Sequence, residues 1–517
     1  MYPGAHARQN PDKPAVIVAD TGQQLSYGQL EDRSIRLANG LRAAGLQRGD
    51  VVALLSSNDA EMLVVYWACL RSGLYLTAVN VHLTAPETGY ILADCAAKAL
   101  IASADLDALA VPVSRQAPAV VVRLAYRGGV PGFDPYDDFL AAASPQPATD
   151  QPRGADMLYS SGTTGRPKGI KPDLPQRQVG DPGDPVVTIF GNGYSFSGES
   201  ISFSPAPLYH AAPLRFAMMA TALGATTVTV TKFDPEAALG IIEKHRVTHS
   251  QWVPTHFVRM LRLPQETRDR YDVSSQTHVI HAAAPCPVDV KHQMLGWFGP
   301  VLHEYYSSTE GSGITMIGPQ EWLARPGSVG KAAVGTIHIC DDAGAELPTG
   351  ATGVIYFERE RSTFVYHGDP EKTAGAAHPE HPNWSTCGDI GYVDADGYLF
   401  LRDRKAFTII SGGVNIYPQE IEDALLSHPA VGDAAVLGVP DEEFGETVAA
   451  VIELREGVTQ NPELVDELVA YLRASIAGYK VPRRFEFVDE LPRTPTGKLV
   501  KGKLREGLNT GTTSRNH

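Results

Sequence analysis

The chain has 517 residues, of which 43% are apolar and 20% are charged, and its formal net charge at pH 7 is -15. This length exceeds the size at which one hydrophobic core usually stops growing, so at least two domains are expected. The negative charge argues against a general nucleic-acid or anionic-membrane surface, because both require clustered Lys and Arg.

Helix and strand patterns alternate along the first part of the chain. Ser26 and Gln29 form a capping box ahead of an apolar helical stripe over residues 30–41. A buried strand over residues 51–55 and an apolar helix over residues 62–70 follow. This alternation predicts an α/β fold with a mostly parallel sheet that helices cover on both faces.

The middle of the chain repeats this pattern and then departs from it. A strand over residues 226–230, a helix over 235–245 and a strand over 247–253 continue the parallel arrangement. Residues 334–357 change to short strands joined by Gly, Asp and Pro turns, and residues 388–404 read as a hairpin. We therefore expect an antiparallel, barrel-like subdomain after the parallel layers.

The last 110 or so residues form a second pattern, which predicts a small α+β domain. The predicted elements are helices over residues 418–427 and 462–476, and strands over 434–437, 447–454 and 484–488. Residues 509–517 have the composition of a disordered tail.

Targeting and cysteine signals are weak. The start of the chain lacks the basic and apolar segments of a signal peptide, and no run is apolar enough to span a bilayer. The five cysteines are scattered and form no CxxC pair, so neither a disulfide framework nor a zinc site is indicated. We expect a cytoplasmic protein with free thiols.

A glycine- and hydroxyl-rich loop follows a short apolar strand. Residues 160–169 read Ser-Ser-Gly-Thr-Thr-Gly-Arg-Pro-Lys-Gly. Glycines let backbone N–H groups approach phosphate oxygens, hydroxyls donate, and Lys168 supplies positive charge. The spacing differs from the G-x-x-x-x-G-K-[ST] loop, which argues against an ordinary P-loop NTPase. A mobile linker is the alternative, although linkers seldom combine Pro-Lys-Gly with an adjoining strand.

This loop resembles the phosphate-binding signature of the adenylate-forming superfamily, which includes acyl-CoA synthetases, peptide-synthetase adenylation domains and firefly-type luciferases. Further motifs match in the family's order, and the resemblance spans about residues 10 to 505. It implies ATP, Mg²⁺ and CoA as cofactors or co-substrates, with the acyl-CoA synthetase branch favoured. It assigns the nucleotide phosphates to Ser160, Ser161, Gly162, Thr163, Thr164, Gly165 and Lys168.

The segment Tyr306-Ser307-Ser308-Thr309-Glu310-Gly311 is similar to the family's Tyr-Gly-x-Thr-Glu. A carboxylate beside a hydroxyl suits Mg²⁺, a hard ion that keeps waters and bridges phosphates. The resemblance gives Glu310 to the metal, Thr309 to the α-phosphate and Tyr306 to the adenine face, with Ser307 at the nucleotide and acyl sites. Ser307 stands where the family usually has Gly.

Two further motifs point to the nucleoside. Residues Ala282, Ala283, Ala284 and Pro285 resemble the adenine-contacting Gly-Ala-Ala-Pro, with Ala in place of Gly. Asp389 and Arg404 resemble the ribose clamp, because a carboxylate accepts from both ribose hydroxyls and an arginine adds a second contact. A lone Gly-Asp would more often be a turn.

The C-terminal domain carries two motifs of its own. Gly412 and Gly413 lie in a segment that resembles the strand lining the thiol channel of relatives, where absent side chains admit a narrow ligand. Lys498 lies in Pro-Arg-Thr-Pro-Thr-Gly-Lys, which resembles the motif whose lysine serves adenylation. A point charge on a flexible stem can reach both the attacking carboxylate and the α-phosphate.

These motifs predict three parts of the chain. They are an N-terminal domain over residues 1–403, a hinge at 404–406 and a mobile C-terminal domain over 407–517. The hinge residues are Lys405 and Ala406. Relatives commonly have Lys or Asp two positions after the arginine of the hinge, and here Ala406 stands at that position. Hinges do not require a particular side chain, so this departure does not exclude activity.

The acyl pocket is expected near His210, Trp252, Ser307 and Gly311, with His210 at the family's aromatic gate position. A structural histidine is the alternative for His210. No aspartate stands where amino-acid-activating relatives hold the substrate amine, so a fatty, alicyclic or aryl acid without an α-amino group is expected. The alternatives are a free-standing ligase that loads a separate carrier protein, a luciferase-like oxygenase, and an inactive scaffold. The sequence leaves a homodimer open.

Overall fold

The computed structural model describes residues 2–160, 167–411, 414–441, 444–493 and 499–510. Its α-helices span Pro3–Gln9, Tyr27–Ala43, Glu61–Leu70, Ala85–Asp94, Asp107–Gln116, Tyr136–Ala142, Ala211–Ala222, Pro235–His245, Pro254–Leu261, Gln265–Arg268, Val288–Phe298, Pro319–Ala324, Pro370–Gly375, Pro418–Leu426, Pro462–Ser475 and Lys501–Thr510. Short 3₁₀ turns cover Ala104–Leu106, Lys405–Phe407 and Gly478–Lys480, and a π-helical turn covers Val187–Gly191. None of the helices in these ranges has the length and apolarity that a bilayer crossing demands.

An N-terminal sheet of parallel strands confirms the pattern predicted for the start of the chain. In spatial order its strands are Asp134–Pro135, Val122–Tyr126, Ala99–Ser103, Val51–Leu55, Tyr75–Val79 and Ala155–Asp156. Every residue of Val51–Leu55 is buried, because helices cover both faces of the sheet. The helix Tyr27–Ala43 begins with the predicted capping box, in which Ser26 and Gln29 each accept from the other's backbone N–H.

A larger central sheet contains most of the remaining strands. In spatial order they are Thr336–Cys340, Gly353–Glu358, Asp389–Val393, Leu399–Arg404, Ser328–Val334, Ile314–Ile317, Leu302–Ser307, His278–His281, His249–Trp252, Ile201–Ser204, Thr226–Thr229, Pro14–Val18 and Gln23–Ser26, with Trp384–Ser385 beside Gly353–Glu358.

The central sheet changes direction at one strand. Leu302–Ser307 pairs in parallel with His278–His281 and antiparallel with Ile314–Ile317. The parallel strands predicted in the middle of the chain and the predicted antiparallel subdomain are thus two parts of one sheet. The motif that begins at Tyr306 lies at the junction between them.

A small antiparallel sheet holds both ends of the glycine-rich loop. Its strands are Leu158–Ser160, Lys168–Lys171 and Val365–Tyr366. Lys168 lies opposite Ser160, and Ile170 lies opposite Tyr366. The residues on either side of the loop are therefore fixed by strand pairing.

A C-terminal sheet follows. Its strands are Val414–Ile416, Ile409–Ser411, Gly445–Leu454 and Val431–Asp441, with Arg484–Val488 parallel to Gly445–Leu454. The helices Pro418–Leu426 and Pro462–Ser475 pack on one face, and Lys501–Thr510 packs on the other. This arrangement confirms the predicted small α+β unit.

The last helix extends to the start of the segment that was expected to be a disordered tail. The last helix continues through Thr510, so the first two residues of the expected tail are helical. Leu504 and Leu508 are buried against the C-terminal sheet, and the Lys501 ammonium lies 2.7 Å from a carboxylate oxygen of Glu422. These contacts hold the helix to its end. Residues 511–517 lie outside the described residues.

The connection between the two sheets is short. The central sheet ends at Arg404, the C-terminal sheet begins at Ile409, and the turn Lys405–Phe407 joins them. The Lys405 N–H donates to the Gly388 carbonyl at 2.8 Å, and its ammonium lies 2.5 Å from Asp342. The role of Lys405 and Ala406 as a hinge stays a prediction.

Candidate active site

Two neighbouring cavities collect the predicted site residues. An interdomain cavity of about 680 Å³ lies between the central and C-terminal sheets, and an inner cavity of about 550 Å³ lies beside the small sheet. Both are lined by Ala283, Tyr305, Ser307 and Arg404. The interdomain cavity adds Ala284, Pro285, Tyr306 and Asp389, and the inner cavity adds Ser160, Lys168, His210, Trp252, Ala282, Thr309, Glu310 and Gly311. All predicted nucleotide and acyl residues in the described ranges therefore line one continuous region.

The Asp389–Arg404 pair is preformed. The two residues lie opposite each other across a hairpin, and Arg404 Nε is 2.9 Å from Asp389 Oδ1. Tyr306 Oη donates to Asp389 Oδ2 at 2.6 Å. Burial, followed by the charge of Asp389, raises the pKa of Tyr306 well above its usual value, so the phenol remains a donor. The tyrosine expected on the adenine face thus also orients the carboxylate.

Glu310 is held in a position that suits a hard cation. Tyr366 Oη donates to Glu310 Oε1 at 2.9 Å, and Thr363 Oγ1 donates to the Glu310 carbonyl at 3.1 Å. Oε2 accepts no hydrogen bond from the described residues, so one carboxylate oxygen is available. A single carboxylate with a free oxygen beside a phosphate loop fits Mg²⁺, which keeps several waters.

Lys168 is the first residue of the strand Lys168–Lys171, which follows the glycine-rich loop. Its ammonium lies 5.3 Å from the centre of the Tyr366 ring. Burial, followed by the neighbouring Lys372, lowers the pKa of Lys168 to about 8, although Glu310 and Asp369 act in the opposite direction. Two lysines close together favour an anion between them.

The adenine segment contains an unusual backbone conformation. Ala283 has φ of 75°, in the left-handed region that costs a non-glycine residue about 1 kcal/mol. Ala282, which replaces the family's Gly, is not among the residues with positive φ. The departure noted in the sequence is therefore free of this strain, and the strained position is one residue later.

The predicted acyl residues make unequal contributions. His210 precedes the helix Ala211–Ala222, and its ring lies 4.6 Å from that of Tyr209. Trp252 is only 1% exposed, and its indole Nε1 donates to Ser250 at 2.6 Å, so it adds little to the wall. Ser307 Oγ donates to the Gly313 carbonyl at 2.8 Å, which ties this hydroxyl to its own loop.

Three aromatic residues that were not predicted from the sequence form one wall of the inner cavity. Phe190, Phe216 and Tyr305 line the inner cavity, with ring centres of Phe190 at 5.2 Å from Phe216 and 4.8 Å from Tyr305. These residues come from three separate segments. No local pattern marks them, because each looks like an ordinary core residue.

Two arginines that line the inner cavity were also not predicted from the sequence. Arg215 Nη2 lies 2.7 Å from Asp156 and 3.5 Å from the Thr309 carbonyl. Arg359 Nη1 donates to the Gly311 carbonyl at 3.1 Å. A lone charge in the apolar run of residues 211–222 was a signal for Arg215. Arg359 lies among other charged residues and had no such signal.

Several predicted residues lie outside the described residues: Ser161, Gly162, Thr163, Thr164, Gly165, Gly412, Gly413 and Lys498. Arg493 and Leu499, on either side of the Lys498 segment, both line the interdomain cavity. Arg493 Nε and Nη2 each lie 2.6 Å from a carboxylate oxygen of Asp433. The described ends of this segment therefore face the same cavity as Asp389 and Arg404.

Comparisons with known proteins agree with this geometry. The chain matches the family model for AMP-binding enzymes over residues 4–366 and that for the AMP-binding enzyme C-terminal domain over residues 420–498. It is 35% identical over 511 residues to a feruloyl-CoA synthase of Amycolatopsis sp, with 98% of each chain covered.

Two further similarities extend over the same length. A fatty acid–[acyl-carrier-protein] ligase of Streptomyces coeruleorubidus is 31% identical, with 97% of this chain and 94% of the relative covered. The solved structure of ATP-bound MatB from Rhodopseudomonas palustris has a TM-score of 0.82 and 29% identity, covering 98% of this chain and 99% of MatB. As its motifs predicted, the chain belongs to the family of AMP-binding enzymes and is an AMP-forming acid–thiol ligase.

Proposed function

We propose that this ligase converts an aryl acid without an α-amino group to its acyl-adenylate and then to its CoA thioester. The observation that carries the acid class is the wall of Phe190, Phe216 and Tyr305 in the cavity that adjoins the nucleotide residues. Aromatic rings pack well against a flat aryl group. The similarity to feruloyl-CoA synthases, whose name denotes an aryl acid, supports the same class.

In the first half-reaction the carboxylate of the acid attacks the α-phosphorus of ATP, and pyrophosphate leaves. No protein nucleophile is needed, so the rate comes from alignment and from positive charge placed where negative charge develops. We assign that charge to Lys168 on the pyrophosphate side and to Lys498 on the carboxylate side. Glu310 would hold Mg²⁺, which would supply positive charge against the phosphates when bound.

The nucleoside would occupy the interdomain cavity. Asp389 can accept from the ribose hydroxyls while Arg404 and Tyr306 keep its carboxylate in place. The adenine would lie against Ala282–Pro285 and Tyr306, with Thr309 directed to the α-phosphate. The loop residues Ser160 to Gly165 would donate to the β- and γ-phosphates.

In the second half-reaction a thiol attacks the acyl carbon, and AMP leaves. We propose that the C-terminal domain first reorients about residues 404–406, which withdraws Lys498 and brings Gly412 and Gly413 to the thiol channel. CoA is the acceptor favoured by the relatives' names. The similarity to a carrier-protein ligase makes a carrier thiol the second candidate.

The test is AMP formation from ATP and Mg²⁺ with aryl, fatty and alicyclic acids, each with and without CoA. We expect CoA-dependent AMP formation that is fastest with one aryl acid, and that is slower with the variant Lys168→Ala. Pyrophosphate release without CoA-dependent turnover would favour the carrier-loading function. Fastest turnover with a fatty or alicyclic acid would overturn the acid class, and no nucleotide chemistry with any acid would overturn the whole proposal.

A further inference from the structure

We propose that Arg359 recognises a hydrogen-bond acceptor on the part of the acid that is remote from the reacting carboxyl group. This inference rests on the proposed function, since it names a feature of the acid within the aryl class. The acceptor would be a phenolic or ether oxygen on the ring, or a second carboxylate.

The cations of the inner cavity differ in how their charge is balanced. In the described part of the chain, Lys168, Arg215, Arg359 and Arg404 line this cavity. Arg215 pairs with Asp156 at 2.7 Å, and Arg404 pairs with Asp389 at 2.9 Å. Arg359 forms no ion pair with a carboxylate within the described ranges. It therefore brings to the wall of this cavity a positive charge that is not paired with a carboxylate of the described residues.

Only one nitrogen of the Arg359 guanidinium donates hydrogen bonds to the described residues. Nη1 donates to the carbonyls of Gly311 at 3.1 Å and Ser312 at 3.5 Å. Nε and Nη2 donate to no acceptor among the described residues. A half-buried guanidinium with unused donors is costly unless a ligand or water satisfies them, and a fixed planar fork suits an oxygen acceptor. Partial burial lowers the pKa of Arg359, because the charged guanidinium loses part of its hydration.

The position of Arg359 favours the acid over the phosphates of ATP. Lys168 lies beside Tyr366, which donates to Glu310, and these residues adjoin the phosphate loop. Arg359 instead is anchored to the segment that continues from Glu310 into the strand Ile314–Ile317. The side chain of Arg359 also runs beside Gly335: a Cβ built on Gly335 would lie 3.0 Å from the Arg359 Cδ.

The strand Ile314–Ile317 and its neighbour Ser328–Val334 contribute apolar residues to the inner cavity. Ile314 pairs with Val334 across the antiparallel part of the central sheet, and both side chains line the inner cavity. Arg359 therefore lies at the apolar part of the cavity, where the body of the acid rather than its carboxyl group would be held. An acid whose body is a pure hydrocarbon would leave the guanidinium donors unsatisfied. Such an acid should therefore react more slowly than one that carries an acceptor.

The experiment compares acids that differ in a single ring substituent. The parent enzyme and the variants Arg359→Met, Arg359→Lys and Arg361→Met are assayed for CoA-dependent AMP formation. The acids are 3-phenylpropenoic acid and its ring-hydroxylated, ring-methoxylated and ring-carboxylated forms. Methionine keeps the apolar stem and removes the donors, and Arg361 is an exposed neighbour that serves as the matched control.

We expect the parent to prefer at least one oxygenated acid over the unsubstituted acid by about 10-fold or more in kcat/KM, from one charge-assisted hydrogen bond. Arg359→Met should reduce that ratio to about 1–3, and a thermal unfolding midpoint close to that of the parent enzyme would show that the variant is folded. Arg359→Lys should retain part of the ratio, and Arg361→Met all of it. The preferred substituent identifies the acceptor.

Three results would overturn the inference. The first is a parent enzyme that turns over aryl acids with no preference for an oxygenated ring. The second is a preference that survives in Arg359→Met. The third is a raised KM for ATP in Arg359→Met with the preference unchanged, which would assign Arg359 to the phosphates. Absence of CoA-dependent turnover with every acid would be a failure of the proposed function instead.

Discussion

The substitution Asp389→Asn tests the preformed clamp most directly. The carboxylate accepts from Tyr306 Oη at 2.6 Å and lies 2.9 Å from Arg404 Nε, and Asp389 is 8% exposed. The amide has one acceptor oxygen instead of two and carries no charge. One charge-assisted contact is therefore lost in the nucleotide complex, at a cost of about 1.5–3 kcal/mol. We expect kcat/KM for ATP to fall by about 10- to 150-fold.

The assay is the initial rate of AMP formation at varied ATP and saturating acid, and then at varied acid and saturating ATP. The effect should appear on ATP and not on the acid, because the clamp lines the interdomain cavity. Asp396→Asn, in the same hairpin, is the matched control: Asp396 is 63% exposed and pairs with Arg325 at the surface. Its effect should stay within about twofold. A change of less than threefold in Asp389→Asn, or an equal change in Asp396→Asn, would refute the clamp.

Three other predictions concern the charged groups of the inner cavity and the C-terminal loop. Because the pKa of Lys168 is lowered to about 8, the lysine is charged below pH 8 and loses its proton above it; kcat/KM for ATP should therefore fall above pH 8 in a pH profile, and Lys168→Ala should abolish this step. Tyr366→Phe removes the donor to Glu310 Oε1, so the Mg²⁺ concentration for half-maximal rate should change several-fold in a Mg²⁺ titration, with an unchanged value arguing against the metal role of Glu310. Lys498→Ala should slow adenylation by about 10²- to 10³-fold in a pyrophosphate-release assay. The same variant should still form thioester from added acyl-adenylate, and an equal loss in both steps would contradict its assignment.

The residues predicted to bind the nucleotide could be found in the sequence because they lie in short continuous motifs. Ala282 to Pro285 directly follow the strand His278–His281, and Tyr306 to Gly311 begin with the last two residues of the strand Leu302–Ser307. A strand end fixes the direction of the chain, so residues that follow it are positioned by the same backbone pairing. Asp389 and Arg404 face each other because the hairpin register pairs them, and the Asp-Ala-Asp-Gly turn between their strands is visible in the sequence.

The acid side could not be predicted in this way. Phe190, Phe216 and Tyr305 meet only because a π-helical turn, an α-helix and a strand pack together. Arg359 reaches Gly311 across a sheet from a position with no motif around it. Tertiary packing brings these side chains to one cavity, and their spacing along the chain gives no sign of that packing. Trp252, which was expected at the acyl pocket, does line the inner cavity, and its indole N–H donates to Ser250.

The turn after Arg404 connects the nucleotide to the orientation of the C-terminal sheet. Arg404 holds Asp389 by its side chain, and its backbone leads directly into Lys405–Phe407. A reorientation about this turn must change torsions one residue away from the clamp. In the proposed mechanism, binding of AMP and the equilibrium between orientations would be reciprocally linked, so that each would shift the other by the same free energy. A substitution in the turn that biases this equilibrium should therefore alter the dissociation constant of AMP without touching the nucleotide.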